Sequence, residues 1–108
     1  MSHKYAWVWN VKPECVEEYV NMHLNPWPEI MKAHSKAGIK NYSIFRDGNR
    51  FFYEFECEGD PAAAFAATEK DPDCIRWNNI TTKMLDLPPD RKDLGGTIQF
   101  LREVFYLE

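Results

Sequence analysis

Tyr19 and His23 stand four residues apart in the string YVNMHLNPWPEI, a spacing that stacks a phenol and an imidazole on one side of a helix. Val16 and Val20 share that side, so it faces a core in which either polar group loses free energy unless it finds a partner. A neutral imidazole titrates near neutral pH and can give or take a proton, while Tyr19 and Tyr42 can orient hydroxyl groups by hydrogen bonding. The plain alternative for His23 is a hydrogen-bonded core residue, and for Trp77 a helix-anchoring core aromatic. The string RWNN departs from that alternative. Arg76, Asn78 and Asn79 beside Trp77 make an apolar plate with hydrogen-bonding rims, which suits a sugar whose face offers C–H groups and whose edge offers hydroxyls.

Other chemistries find little support. His34 follows His23 by three helical turns, but Pro26 and Pro28 interrupt the geometry, and no H-x-x-x-H or H-E-x-x-H spacing occurs. No metal site is therefore expected. Neither a G-x-G-x-x-G nor a P-loop string is present, and no G-x-S-x-G elbow offers a nucleophile. Cys15, Cys57 and Cys74 are widely spaced, without a C-x-x-C pair, and read as reduced structural thiols.

The elements that must position these residues are legible from periodicity. KYAWVWNV alternates Tyr5, Trp7, Trp9 and Val11 on one face with Ala6, Val8 and Asn10 on the other, the period of a strand. From Pro13 the pattern turns helical through Val16, Tyr19, Val20 and His23; Pro26 and Pro28 break it, and EIMKAHSKAG resumes the helix until Gly38. KNYSIF and RFFYEFECE, joined by RDGN, predict a hairpin. In its second strand Phe51, Tyr53, Phe55 and Cys57 share one face, and Glu54, Glu56 and Glu58 share the other. DPAAAFAATEK and DPDCIRWNNITTKML predict further helix, with Asp71 as cap and Pro72 in the first turn. LPPDRKDLGG, residues 87 to 96, reads as a loop, and TIQFLREVFYLE as a final strand.

The order strand, helix, strand, strand, helix, strand predicts an α+β ferredoxin-like (βαββαβ) sandwich in one domain spanning residues 1–108. Its helices cover one sheet face. The other face needs a cover, and a second copy of the chain in a homodimer is the expected one. With 108 residues, 44% of them hydrophobic and 15% aromatic, a substantial core can form. A net charge of −4 and no Lys/Arg cluster leave no footprint for nucleic acid or an anionic membrane. No apolar run reaches the roughly 18 residues of a membrane span, and MSHKYAWVWN lacks the zones of a signal peptide, so a cytoplasmic protein is expected.

Several strings match one pattern in the same order along nearly the whole chain. EEYVNMHLNPWPEI, NYSIF, CIRW and LREVFYL resemble the L-rhamnose mutarotase family of small bacterial enzymes. The resemblance implies a dimeric ferredoxin-like fold of the α+β barrel type and an isomerase of the racemase and epimerase class. It implies interconversion of the α and β anomers of a 6-deoxy-hexose such as L-rhamnose, without a cofactor. By position, His23 matches the family's proton donor, Tyr19 and Tyr42 its sugar-binding tyrosines, and Trp77 the first of two adjacent pocket tryptophans. The second is replaced by Asn78, which exchanges an indole for a carboxamide and points to a wider, more polar pocket that accepts a related sugar such as L-fucose. Two rivals remain at this level: a dimeric α+β barrel monooxygenase or haem-degrading protein, with His23 or His34 as ligand, and a non-catalytic sugar-binding dimer.

Overall fold

In the computed structural model, which describes residues 3–87 and 98–108, the two-residue alternation becomes strand β1 (His3–Asn10). Strands β2 (Lys40–Asp47) and β3 (Arg50–Cys57) form the expected hairpin, in which Gly48 takes a φ of 63° that suits a tight turn between strands. The sheet is antiparallel in the order β1-β3-β2, so β3 is central. Its register puts Trp7 opposite Tyr53 and Tyr5 opposite Phe55. Burial follows the parity of β3: Phe51, Tyr53, Phe55 and Cys57 are buried, whereas Phe52 is exposed and Glu54 and Glu56 half-buried. The bulge between Lys40 and Ser43, where Asn41 has a φ of 51°, shifts the register of β2 beside Tyr42.

The proline-interrupted helix is two helices. A 3-10 turn (Pro13–Cys15) leads into α1 (Val16–Leu24), and α2 (Pro28–Lys36) starts afresh after Trp27. Pro28 occupies the first turn of α2, where its missing N–H costs nothing, and α2 stops at Gly38, whose φ of 87° is the left-handed conformation of a helix end. The alanine-rich segment forms α3 (Pro61–Thr68), and the last helix is α4 (Pro72–Thr81), followed by a 3-10 turn (Thr82–Met84). Helix α2 lies against α3 and α4. Most of the core lies between the helices and the inner sheet face, and a satellite of Ile30, Cys74 and Trp77 joins α2 to α4.

Asp71 caps α4, its carboxylate accepting from the backbone N–H of Asp73 at 2.9 Å and of Cys74 at 3.2 Å. Because α4 carries Trp77 and Asn78, this cap supports the cavity described below. Asp71→Ala is expected to lower stability by about 1 kcal/mol, read as a reduced urea midpoint. An unchanged midpoint would remove the cap from the stability of the helix.

The final strand expected over residues 97 to 108 is not formed among the described residues. Leu101 donates its N–H to the Ala6 carbonyl at 2.7 Å, and Ile98 and Phe100 pack against the core, so the chain comes alongside β1 there. One bond is not a ladder, however. Beyond it Val104, Phe105, Tyr106 and Leu107 lie exposed, a strand-like sequence without a neighbouring strand among the described residues. The loop expected over residues 87 to 96 lies, apart from Leu87, outside the described residues.

Candidate active site

Helix α1 delivers both groups of the i, i+4 pair to one cavity. Tyr19 is buried, and His23 is half-buried with its ring centroid 4.4 Å from the Tyr19 ring. His23 Nδ1 lies 2.7 Å from the Tyr19 carbonyl oxygen, an acceptor only, so Nδ1–H donates and the neutral ring keeps its lone pair on Nε2. Burial lowers the His23 pKa below the ordinary imidazole value, partly opposed by that hydrogen bond, and keeps the ring neutral at pH 7.

Trp77, on α4, closes over the imidazole edge-on at 5.4 Å, and Trp27 backs Trp77 at 5.1 Å. The proline break thus turns Trp27 toward the site's rim, one ring removed from His23. The RWNN segment divides: Trp77, Asn78 and Asn79 line the cavity, whereas Arg76 does not. Its guanidinium pairs with Asp73 and lies 5.5 Å over the Trp27 ring, so the expectation of Arg76 at the ligand rim is corrected to a support for Trp27. A cation–π seat and a carboxylate one turn away hold it there more favourably than a cavity would.

Tyr42 reaches the same cavity from β2, beside Trp7 at 5.9 Å and His34 at 5.9 Å between ring centroids. Burial pushes its phenol well above the ordinary value, and neighbouring Tyr19 adds to the rise. The expected residues Tyr19, His23, Tyr42, Trp77 and Asn78 are therefore brought together on the walls of one open cavity of about 1290 Å³. That volume exceeds the roughly 300–1,000 Å³ of common small-ligand pockets, so the cavity has room for a ligand of monosaccharide size.

Three aromatic residues of the wall were read in the sequence only as strand faces. Trp7 and Trp9 line the cavity, and their Nε1 atoms are buried without a hydrogen-bond partner among the described residues. Each such donor costs about 1–3 kcal/mol. Tyr53 is the third, and its hydroxyl meets that of Tyr19 at 2.5 Å. Strand parity marked these side chains as inward-facing but could not distinguish a filled core from a cavity wall. His34 also lines the cavity, its Nδ1–H donated to the Ile30 carbonyl at 2.8 Å. Among the described residues no group of three His, Cys, Asp or Glu side chains could hold a metal ion.

An α+β sandwich with a neutral imidazole, phenols and indoles around one largely apolar cavity is an arrangement able to do acid–base chemistry on a small uncharged ligand. Comparison with known proteins makes this particular. The chain belongs to the L-rhamnose mutarotase family, which it matches over residues 4–107, and by that membership it is an isomerase. The L-rhamnose mutarotase of Yersinia pestis (strain Pestoides F) is 36% identical over 103 residues, covering 95% of this chain and 96% of that relative. An L-rhamnose mutarotase from Formosa agariphila has the same fold, with a TM-score of 0.72 at 23% identity over 98% of this chain and 99% of that one. A putative antibiotic biosynthesis monooxygenase from Bordetella bronchiseptica shares it too, with a TM-score of 0.65 at 13% identity over 96% of this chain and 98% of that one. The fold is thus the ferredoxin-like sandwich of the dimeric α+β barrel type, and it hosts unrelated chemistries.

Proposed function

We propose that the chain, as one domain spanning residues 1–108, interconverts the α and β anomers of a 6-deoxy-hexose such as L-rhamnose or L-fucose. The observation that carries this reading is His23, with Nδ1–H tied to the Tyr19 carbonyl and Nε2 left for proton exchange in a cavity shared with Tyr19, Tyr42 and Trp77. Nε2 takes the proton of the anomeric hydroxyl as the bond between the anomeric carbon and the ring oxygen opens. The electron pair of that bond goes to the ring oxygen, to which His23, now an imidazolium, donates the proton. Rotation of the aldehyde and closure on its other face repeat these transfers in reverse. Every proton is returned and no electron is gained or lost, so the step requires no cofactor. His23 is the proton donor to the ring oxygen only after acting as base, which suits a resting imidazole kept neutral by burial. Tyr19 and Tyr42 hold sugar hydroxyls, and Trp77 offers a ring for the sugar's C–H face.

Saturation-transfer proton NMR on the anomeric signals tests this directly. Added protein is expected to accelerate exchange of L-rhamnose, L-fucose or both over the spontaneous rate, and no acceleration for any tested aldose would defeat the proposal. Asn78 bears on the choice between them. Asn78→Trp replaces a half-buried carboxamide on the cavity wall by an indole, and is expected to shift preference toward L-rhamnose by about 10-fold, the scale set by one changed pocket contact. An unaltered sugar ranking would remove position 78 from specificity.

The exposed apolar side chains of Phe45 and Phe52 on the outer sheet face, with those of Val104 to Leu107, support association into a homodimer, which sedimentation velocity would read as a doubled mass. The three free thiols suit a reducing, cytoplasmic setting. Among the described residues no helix is long and apolar enough to cross a membrane.

A further inference from the structure

Tyr53 occupies the middle of the central strand, opposite Trp7 on β1 and Ile44 on β2, and is 1% exposed. Its ring lies flat on the Trp7 indole, with centroids 4.6 Å apart and planes within 1°, and meets Trp9 edge-on at 5.2 Å. A phenylalanine would fill that space equally well. What tyrosine adds is a hydroxyl, which is costly to bury without a partner. Its one side-chain hydrogen-bond partner among the described residues is the hydroxyl of Tyr19, at 2.5 Å.

We propose that Tyr53 is a positioning residue: its hydroxyl donates to the Tyr19 oxygen and thereby directs the Tyr19 proton into the cavity, toward a sugar oxygen. This rests on the mutarotase reading and on Tyr19 as a sugar-binding group. A phenol carries one proton, so two phenols joined by one hydrogen bond retain a single O–H for a third group. The surroundings favour one direction. The Tyr53 ring lies flat on Trp7 and against Trp9, whereas the Tyr19 ring adjoins His23 at 4.4 Å, so the proton assigned to the cavity is the one on Tyr19. The titration behaviour agrees: burial raises Tyr19 only to about 12, because the bond from Tyr53 offsets part of it, while Tyr53 is driven higher by burial and by Tyr19 itself. Without this tether the Tyr19 hydroxyl can turn its proton either way in the ring plane, and a bound sugar would have to select one orientation.

The test is a double-mutant cycle on anomer exchange, measured by saturation-transfer NMR across a range of L-rhamnose concentrations. Tyr53→Phe keeps the ring on Trp7 and is expected to raise KM about 3- to 10-fold with kcat within about twofold, as for a lost orienting hydrogen bond. Tyr19→Phe raises KM at least as much, and in that background Tyr53→Phe adds nothing, because Tyr53 acts through Tyr19. A merely structural role for Tyr53 predicts the same loss in both backgrounds, and that result, or an unchanged KM for Tyr53→Phe, overturns the inference while leaving the mutarotase reading intact. Absence of any acceleration by the unmodified protein overturns both.

Discussion

His23→Ala is expected to lower the protein's acceleration of anomer exchange by about 10²- to 10⁴-fold, the contribution of a positioned acid–base group. The substitution removes the sole imidazole packed between Tyr19 and Trp77 and leaves the cavity without a proton carrier at that wall. Circular dichroism should remain that of the folded chain, since His23 is only half-buried and belongs to neither core cluster. Exchange at the unmodified rate would exclude His23 from the mechanism. The pH dependence supplies a second reading of the same group. Burial lowers the folded-state pKa, so the ring stays neutral and basic at pH 7, and activity is lost only as pH falls below the ordinary imidazole value of about 6.5. Stability follows the same sign. As pH drops below about 6.5 the unfolded chain binds the proton first, so folding weakens between that pH and the lower folded pKa. Both slopes should be missing from His23→Ala.

Trp7→Ala is the largest expected stability effect, a loss of about 3–5 kcal/mol out of the roughly 5–15 kcal/mol typical of a whole domain. Trp7 is 1% exposed, stacks on Tyr53, and meets Trp9, Phe55, Phe65 and Phe100 edge to face. Truncation leaves a void that a sheet on one side and helices on the other cannot close. Urea unfolding followed by circular dichroism measures the loss, and a decrease below about 1 kcal/mol would contradict this account of the core. Exchange activity should fall with stability, because Tyr53 and Tyr42 both lean on the same indole.

Much of this arrangement is written in local patterns. The parity of RFFYEFECE assigns the buried face of β3 residue by residue, and the proline pair marks the break between α1 and α2. The i, i+4 spacing puts Tyr19 and His23 on one helix face, and Asp71 announces the start of α4. These features are legible because each depends on steric or hydrogen-bonding rules that act within a few residues. The final strand was not so determined. Its alternating apolar residues have the right composition, but a strand exists only where a neighbour supplies a ladder, and past Leu101 none is found among the described residues. Arg76 was misplaced for a related reason: its position beside Trp77 and one turn from Asp73 is fixed by sequence, whereas its seat over Trp27 depends on where another helix begins.

By itself the sequence determined the α+β order of elements as far as α4, the inward faces, and, through family resemblance, the class of reaction. Only the tertiary structure decided that the inward face borders a cavity, that Trp7, Trp9 and Tyr53 complete its wall, and that the Tyr53 hydroxyl meets that of Tyr19. The physical reason is one of range. Periodicity records which way a side chain points relative to its own backbone, while a cavity and a hydrogen bond between residues 34 positions apart depend on how far one element stands from another.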